Sequence, residues 1–184
     1  YEDVMKILEE LIAECIKEIA KNCSEEMEAL EKHIKIPSIP FRRATYTELI
    51  EELKSNDIDI EWGQDFELHH YKALGQKFSE FFFIKDWPTK LKPFYIKPKP
   101  DDSTISESFD LQYSWLELAS GGTRVHNKEL LVSRLKEQGL NPDQFRDHLL
   151  AYEIGMPPHS GWAVGLARLM MVITGSDNIR ECVF

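Results

Sequence analysis

Cysteine is scarce in this 184-residue chain, and Cys15, Cys23 and Cys182 have neither the paired spacing of a disulfide framework nor the spacing of a metal site. We therefore expect reduced thiols and a cytoplasmic protein. Long apolar runs are also missing, since no stretch approaches the roughly 20 residues that a membrane-spanning helix needs. No signal peptide is visible. We expect no membrane association.

Positive charge is limited as well. The chain has 22 Lys and Arg against 32 Asp and Glu, which gives a net charge of −10. A broad nucleic-acid footprint needs clustered basic residues, so this balance argues against one. One basic strip is present, and we interpret it as a solvated strand edge; it consists of Lys90, Lys92, Lys97 and Lys99.

With 42% apolar residues, the chain can bury a core of its own, and we expect residues 1–184 to form a single domain. The sequence carries no initiator Met and its helical pattern starts at once. We therefore expect it to be a piece of a longer polypeptide.

Apolar and capping patterns predict a succession of helices and short strands. Apolar residues recur at helical spacing from Val4 to Ile19 and predict an opening helix. The capping box Thr45-Tyr-Thr-Glu48 predicts a helix to about residue 54. The aromatic runs at 81–84 and 94–96 predict strands. Further predicted elements are a short helix with Ser24 as N-cap, an extended crossing at Pro37 and Pro40, a short strand around Ile58 and Ile60, and helices over 66–74 (ended by Gly75), 127–138, 142–152 and 166–174.

Strands that follow one another as hairpins, without alternating βαβ units, indicate an α+β fold with an antiparallel β-sheet flanked by helices.

The hairpin-like segment 108–125 contains the residues that most strongly indicate a functional site. A turn at Tyr113-Ser114 would place Asp110 opposite Glu117, with Cβ atoms roughly 5 Å apart on one face. Carboxylates that close repel each other unless a cation lies between them. Because Mg²⁺ takes carboxylate oxygens together with substrate phosphates, the segment predicts a metal–phosphate site.

The pair Gly121-Gly122 favours a site over an ordinary hairpin. Glycine within a strand often marks a bulge or the close approach of a ligand. A bulge would reset the alternation, so that Arg124 faces the same cavity as Glu117. Ser120 would point away from that cavity in a regular strand. An acidic pair on a solvated sheet face is the alternative, and the spacing alone is equally consistent with it.

A second candidate site lies where a glycine-rich segment enters the last long helix. Gly161 and Gly165 could let a planar ligand lie against the backbone, and Arg168 could stack on it. Glycines at such a place more often serve helix packing, and such an arginine is more often a surface residue.

Four ordered motifs of the chain resemble the catalytic core of class II aspartyl- and asparaginyl-tRNA synthetases, especially the archaeal branch. They are Phe109-Asp-Leu, Leu116-Glu-Leu-Ala-Ser-Gly-Gly-Thr-Arg124, Gly155-Met-Pro-Pro-His-Ser-Gly-Trp-Ala-Val-Gly-Leu-Ala-Arg168 and Gly175-Ser-Asp-Asn-Ile-Arg-Glu181. The resemblance extends back through Lys92-Pro-Phe-Tyr to the first helix. It implies a partial class II synthetase-like core that uses ATP and Mg²⁺ to form an aminoacyl-adenylate, in a homodimer.

The resemblance also assigns roles to residues. Its metal-binding positions fall on Asp110 and Glu117, with a neighbouring hydroxyl at Ser120. Its arginine for the side-chain carboxylate or amide of the amino acid falls on Arg124, and a guanidinium suits that role because its planar fork matches a carboxylate. Its arginine for adenine and the ATP phosphates falls on Arg168. The candidate catalytic residues are Glu117 and Arg168, both also nucleotide-binding; close ligand approach is assigned to Gly121, Gly122 and Gly165, and loop positioning to His159.

The chain departs from the family pattern in several places. The motif that usually ends Glu-Arg ends Ala167-Arg168 here, and a usual glycine is Ala163. The first two class motifs are not in this sequence, and we expect them upstream of Tyr1. The sequence also contains no anticodon-binding barrel.

In view of these departures, we consider three functional hypotheses. The preferred one is an AMP-forming asparagine synthetase related to asparaginyl-tRNA synthetase, which activates aspartate and uses ammonia as acceptor. The first alternative is a catalytic fragment of an aspartyl- or asparaginyl-tRNA ligase. The second is a non-catalytic paralogue that binds adenylate or a partner. The acidity of the chain makes tRNA the less favoured partner, without excluding it, and leaves aspartate or asparagine, ATP and ammonia as the small-molecule partners.

Overall fold

The computed structural model describes residues 1–33 and 35–183. Within those residues the chain forms seven α-helices and one five-stranded sheet. None of these helices is both long and apolar enough to cross a membrane. The helices are α1 (Glu2–Asn22), α2 (Ser24–Ala29), α3 (Tyr46–Ser55), α4 (Leu68–Lys77), α5 (Lys128–Glu137), α6 (Arg146–Ile154) and α7 (Leu166–Thr174); the strands are β1 (Arg42–Thr45), β2 (Phe81–Lys85), β3 (Ser108–Tyr113), β4 (Leu116–Thr123) and β5 (Ser160–Val164).

The sheet has the strand order β1-β2-β3-β4-β5. Pairing is antiparallel from β2 to β5, as the sequence predicts, but β1 runs parallel to β2 and makes the sheet mixed. The sequence Arg-Arg-Ala-Thr of β1 gives little strand signal, because Ala44 is the one buried residue of this edge strand. The α+β class with helices around the sheet is confirmed.

The central hairpin β3–β4 has a different register from the predicted one. Its turn lies at Ser114-Trp115, since Tyr113 pairs with Leu116. Ser114 adopts a left-handed φ of 51°, which a two-residue hairpin turn of this kind favours. The prediction that Asp110 lies opposite Glu117 is therefore wrong.

A β-bulge changes the register a second time. The pairing shifts between Leu111 and Gln112, which leaves Leu118 without an opposite residue. As a result Glu117 pairs with Gln112, while Asp110 pairs with Ser120. Opposite residues and those two apart along a strand share a face. The bulge therefore brings the two carboxylates and the hydroxyl to one face after all.

Helices cover both faces of the sheet. On one face α1 packs Met5, Leu8 and Ile12 against strand residues that include Phe83 and Phe109. On the other face α3 and α4 pack against β2 and Trp87 in a second cluster. A third cluster joins α5 and α6 to the segment after β4. The face that carries Asp110 is thus enclosed by α3, α4 and the segment before β3.

The helix predictions are largely confirmed. The Thr45–Glu48 capping box begins α3, Asn127 caps α5, and α7 has the predicted bounds. Ser24 is the first residue of α2 rather than its cap. The predicted helix over 142–152 begins as a 3₁₀ turn, Pro142–Phe145, and continues as α6 to Ile154.

Three predictions about local structure are wrong. Gly75 does not end α4 but lies inside it, where a Cβ would come within 2.7 Å of Ser114 Oγ; the glycine lets the helix approach the hairpin turn. The segments around Ile60 and Ile96 form no strand of the described sheet. Both isoleucines are buried, so their apolar pattern reflects burial in the core, and Ile96 makes one isolated bridge with Arg124.

Candidate active site

A cavity of about 250 Å³ opens on the sheet face that carries the bulged hairpin. β3 and β4 supply Asp110, Glu117 and Ser120 to its walls. The end of β4 leads to Arg124, which lines the same cavity. The structure thus brings together Asp110, Glu117 and Arg124, and with them Ser120, which a regular strand would have pointed away. The bulge responsible lies at Leu118 and not at the glycine pair. The remaining polar side chains of the lining are those of Lys92 and Tyr95.

Asp110 is the most deeply buried acid of the site, with 2% of its surface exposed. Its Oδ2 lies 2.6 Å from the Lys92 ammonium, and its Oδ1 is buried without a hydrogen-bond partner. Burial raises the pKa of Asp110, and the charge of Lys92 opposes that rise. A buried carboxylate oxygen with no partner is costly unless a ligand completes it, so this atom marks a place for a cation or a donor group.

Glu117 is half-exposed and is tied to the start of α7. The Arg168 guanidinium donates to the Glu117 main-chain oxygen at 2.9 Å, and its Nη1 lies 3.5 Å from the carboxylate Oε1. Burial raises the pKa of Glu117 and the nearby charge of Asp110 raises it further, whereas Arg168 and Lys92 act in the opposite direction. The two predicted sites, the hairpin and the glycine-rich entry to α7, thus meet through this pair.

Arg124 is held from three sides. Its Nη2 donates to the Gly161 carbonyl at 3.3 Å, and its guanidinium carbon lies 4.9 Å from the centre of the Tyr95 ring. Its main-chain N–H donates to the His159 carbonyl at 2.9 Å. These contacts hold a fully charged planar group at the cavity wall with part of its hydrogen-bonding capacity unused. Such a group can bind a carboxylate.

The glycines of the motif allow close packing of backbone. A Cβ on Gly121 would lie 2.6 Å from Phe109 Cζ, and one on Gly122 would lie 2.5 Å from the Glu107 carbonyl oxygen. Gly165 is the residue before α7, and its N–H donates to the Leu118 carbonyl at 2.7 Å. Gly121 also contributes to the cavity lining. The close contacts that these glycines make in the structure are with the protein itself.

Lys92 is a site residue that the pattern reasoning missed. The interpretation of its basic strip as a solvated strand edge is wrong for three of the four lysines, which are half-buried and paired. Lys97 pairs with Glu107 at 2.9 Å and Lys99 with Asp86 at 2.9 Å, whereas Lys92 reaches the cavity. The motif Lys92-Pro-Phe-Tyr, which belongs to the family resemblance, is the sequence feature that could have identified Lys92 as a site residue.

Tyr71 of α4 stands near the acidic site. Burial raises the pKa of its hydroxyl, and the charges of Asp110, Glu117 and Asp65 raise it further. Its ring packs edge-on against Phe66, with the ring centres 5.6 Å apart. Nothing in the spacing of α4 distinguishes this tyrosine from an ordinary core residue, because its approach to the site is a consequence of helix packing.

The donor set suits a hard cation that arrives with a phosphate ligand. Among residues 1–33 and 35–183, no group of three or more His, Cys, Asp or Glu side chains is arranged to hold a metal ion. Asp110, Glu117 and Ser120 offer oxygen atoms alone, and Asp110 Oδ1 is unpartnered. In proteins Mg²⁺ is usually bound by one or two carboxylates, and substrate phosphates provide further ligands.

Comparison with known proteins places this geometry in a family. The family tRNA synthetases class II (D, K and N) matches residues 1–184. The chain is 45% identical over 183 residues to the aspartate–tRNA(Asp/Asn) ligase of Methanothermobacter thermautotrophicus, covering 100% of this chain and 42% of that protein. It is also 45% identical over 180 residues to the enzyme of the same name from Methanopyrus kandleri, covering 98% of this chain and 41% of that protein. The chain therefore spans about two fifths of the length of these relatives.

Solved structures of synthetases have a fold similar to that of this chain. Aspartyl-tRNA synthetase from Entamoeba histolytica superimposes with a TM-score of 0.92 at 30% identity, over 100% of this chain and 39% of that one. Asparaginyl-tRNA synthetase from Pyrococcus horikoshii complexed with asparaginyl-adenylate gives a TM-score of 0.91 at 28% identity, over 98% of this chain and 43% of that one. The resemblance to an asparagine synthetase type receives no support from these relatives. The chain belongs to the class II tRNA synthetases of the D, K and N family.

Proposed function

We propose that this chain is the catalytic part of an aspartate–tRNA ligase, which joins aspartate to ATP as an aspartyl-adenylate and then transfers the aspartyl group to tRNA. The observation that supports it is the single cavity in which Arg124 faces the carboxylate cluster of Asp110 and Glu117. Relatives named aspartate–tRNA(Asp/Asn) ligases, at 45% identity, favour tRNA as the acceptor. This was the first alternative of the sequence analysis, and it is better supported than asparagine synthesis from ammonia.

Arg124 is the proposed binding group for the amino-acid side chain. Its guanidinium matches a carboxylate in a bidentate geometry, and its contacts with Tyr95 and the Gly161 carbonyl limit its rotation. If Arg124 holds the side-chain carboxylate of aspartate, the α-carboxylate is the one left free to react. Transfer to tRNA requires that arrangement, whereas asparagine synthesis would require the side-chain carboxylate to be activated.

Arg168 and Glu117 are the proposed nucleotide-binding pair. Arg168 leaves the first turn of α7 with 45% of its side chain exposed, so its guanidinium can turn from Glu117 towards an adenine ring or a phosphate. We propose that the nucleotide lies beside this turn, next to Gly165, the residue before α7. We propose Glu117 and Arg168 as the residues that contact the reacting ATP.

Asp110, Glu117 and Ser120 are the proposed ligands of Mg²⁺. When bound there, Mg²⁺ would offset the negative charge of the ATP phosphates. In the reaction the α-carboxylate of aspartate attacks the α-phosphorus of ATP in line, and pyrophosphate leaves. Because the chain supplies no nucleophile for this step, its contribution is to place the two substrates and to stabilise developing charge.

Several parts of the proposal concern the whole protein. The assembly that we propose is a homodimer in the cytoplasm, and the residues that bind tRNA belong to the proposal as well. A non-catalytic paralogue is the remaining alternative. Asp110, Glu117 and Arg124 line one cavity, and Arg168 contacts Glu117 beside it. This joint arrangement counts against a non-catalytic paralogue, since a binding module has no need of the complete set.

The decisive experiment uses the full-length protein with aspartate and ATP, to which tRNA or ammonium is added in turn. We expect acid-stable aspartyl-tRNA to form with matching AMP release, and ammonium to change neither. Asparagine formed from ammonium without tRNA would contradict the proposal and restore the asparagine synthetase hypothesis. The absence of pyrophosphate exchange with aspartate would favour the non-catalytic paralogue. Asparagine in place of aspartate serves as the matched control substrate.

A further inference from the structure

The carboxylate cluster contains its own cations. Lys92 Nζ lies 2.6 Å from Asp110 Oδ2, and the side chain of Lys92 is only 15% exposed. Arg168 Nη1 lies 3.5 Å from Glu117 Oε1. Within these two ion pairs, two acids and two bases balance, so the pairs themselves have no net charge in the absence of a metal ion. A divalent cation that entered alone would meet no excess negative charge.

The two ion pairs differ in how readily a ligand can separate them. The ammonium of Lys92 is enclosed, because it also lies 4.1 Å from the centre of the ring of Trp87, a fully buried side chain. The side chain of Arg168 is 45% exposed. An enclosed pair exchanges its partners less readily than an open one. A nucleotide can therefore draw Arg168 away from Glu117, while Lys92 stays with Asp110.

The main chain at Lys92 is fixed from outside the site. Its carbonyl accepts a hydrogen bond from Gln138 Nε2 at 2.8 Å and another from Arg134 Nη2 at 3.4 Å. Arg134 is buried and also donates to the Thr89 carbonyl at 2.9 Å. The segment between β2 and β3 is thus anchored to α5, and the lysine has a preset position rather than that of a flexible surface side chain.

We infer that Lys92 is a positioning residue that neutralises Asp110, so that a divalent cation binds the carboxylate cluster together with nucleotide phosphates and only weakly by itself. The inference rests on the proposed nucleotide site for the second half of this statement. The first half concerns the apo protein and needs no substrate. The inference also agrees with the finding that, within residues 1–33 and 35–183, no three His, Cys, Asp or Glu side chains are arranged to hold a metal ion.

The test measures the affinity of free Mn²⁺ for the full-length protein by electron paramagnetic resonance, without ATP, aspartate or tRNA. We expect Lys92→Met to bind Mn²⁺ about tenfold more tightly than the wild type, because the variant removes the positive charge that lies 2.6 Å from Asp110 Oδ2 and competes with the metal ion. Lys92→Arg, which retains the charge, should restore the wild-type value. A purely structural role for Lys92 would not produce this charge-dependent pattern.

The matched control is Lys97→Met, which removes a half-buried lysine paired with Glu107 from the same segment but outside the cavity. Its Mn²⁺ affinity should equal that of the wild type. Thermal unfolding checks that each variant is folded. If Lys92→Met does not fold, Lys92→Gln keeps a donor for Asp110 and carries the same expectation.

Unchanged or weaker Mn²⁺ binding in the neutral Lys92 variants, or an equal gain in Lys97→Met, would overturn the inference. Because no substrate is present, these results are independent of whether the protein charges tRNA. A failure of the ligase assay with the expected Mn²⁺ pattern would instead reject the proposed function and leave the charge balance at Asp110 in place.

Discussion

At the scale of single residues, two ion pairs define the candidate site, and three of their four members, Lys92, Asp110 and Glu117, line one cavity. Asp110 and Glu117 approach each other on one sheet face, Lys92 neutralises the first, and Arg168 contacts the second. Arg124 lies apart from these pairs and makes no ion pair among the described residues. Its charge is therefore available to a substrate, and the other four are largely engaged with one another.

Arg124 is expected to determine affinity for the side-chain carboxylate of aspartate. Replacing it with Ala removes one partner of an enclosed charge pair, which costs about 3 kcal/mol and lowers kcat/KM for aspartate by roughly a hundredfold or more. The measurement is aspartate-dependent pyrophosphate exchange by the full-length protein. Arg180→Ala, which removes an exposed arginine in the 3₁₀ turn Ile179–Cys182, is the control. Undiminished aspartate-dependent exchange in Arg124→Ala would show that the assignment is wrong.

Glu117 should make stability depend on pH in a specific direction. Its pKa is raised in the folded protein, so the folded state holds the proton more tightly than the unfolded chain does. The free energy of unfolding therefore falls as pH rises from the usual range of glutamate, about 4.3, through the pKa of the folded state. Glu117→Gln should lack this part of the decline.

The corresponding measurement is urea unfolding of both proteins between pH 4 and pH 7. The stability of Glu117→Gln relative to the wild type should increase with pH and then level off. Glu10→Gln, an exposed change on α1, is the control. A difference that decreases with pH for Glu117→Gln would contradict the predicted direction.

At the scale of elements, the bulged hairpin β3–β4 is the central feature. The turn at Ser114-Trp115 and the unpaired Leu118 together move Ser120 opposite Asp110. Without the bulge, Ser120 would face the hydrophobic core. β4 is an interior strand, paired with β3 on one side and with β5 on the other. Such a strand must fit closely against both neighbours, and this requirement explains its two glycines.

Gly121 should tolerate no side chain. A Cβ there would lie 2.6 Å from Phe109 Cζ, 2.7 Å from the Gly161 oxygen and 2.8 Å from Trp162 Cβ. Relief of these contacts must move backbone or ring atoms, so we expect Gly121→Ala to reduce the free energy of unfolding by about 1–3 kcal/mol.

Chemical denaturation measures this loss, and Gly161→Ala on β5 is the matched control. The nearest atom to a Cβ on Gly161 is Arg124 Nη2 at 3.6 Å, an ordinary contact. Equal stability of the two alanine variants would show that close packing at Gly121 is not what the glycine provides.

At the scale of the whole molecule, one sheet separates two different environments. α1 closes one face with an apolar cluster, and the opposite face holds the cavity beside α3 and α4. The position of the charged side chains thus depends on a sheet that is supported from behind.

Leu8 tests the support that α1 gives. It is fully buried, whereas Leu11 on the same helix is 46% exposed. Leu8→Ala should lower the free energy of unfolding by about 2–5 kcal/mol because it leaves a cavity behind the sheet. Leu11→Ala should change it by no more than about 0.5 kcal/mol. Calorimetry of both variants gives the comparison, and similar losses would mean that α1 does not pack as described.

Much of the molecule could be predicted from sequence because its signals are local. Capping residues such as Thr45 and Asn127 satisfy helix ends within a few residues, and apolar spacing in α1 and α7 specifies one buried face. Asp110, Glu117 and Arg124 were singled out from the hairpin-like segment, and Arg168 from the glycine-rich segment, whereas their roles were assigned by the family resemblance. Family resemblance correctly indicated the class II fold, but it did not decide between ammonia and tRNA, because the same residues serve the activation of aspartate in both cases.

The tertiary structure alone decided which side chains share a face of the sheet. The reason is that side chains alternate between the two faces, so a shift of one residue in strand pairing moves them to the opposite face. One extra residue at Leu118 reverses which side chains share a face, and no local signal distinguished it from a regular strand. The position of Lys92 depends on hydrogen bonds from Arg134 and Gln138, which lie more than 40 residues away along the chain. The sequence by itself determined the local elements and singled out the residues to which we assign the proposed chemistry. The long-range packing determined which of them meet, because burial and pairing between distant segments set the register and the charge balance of the site.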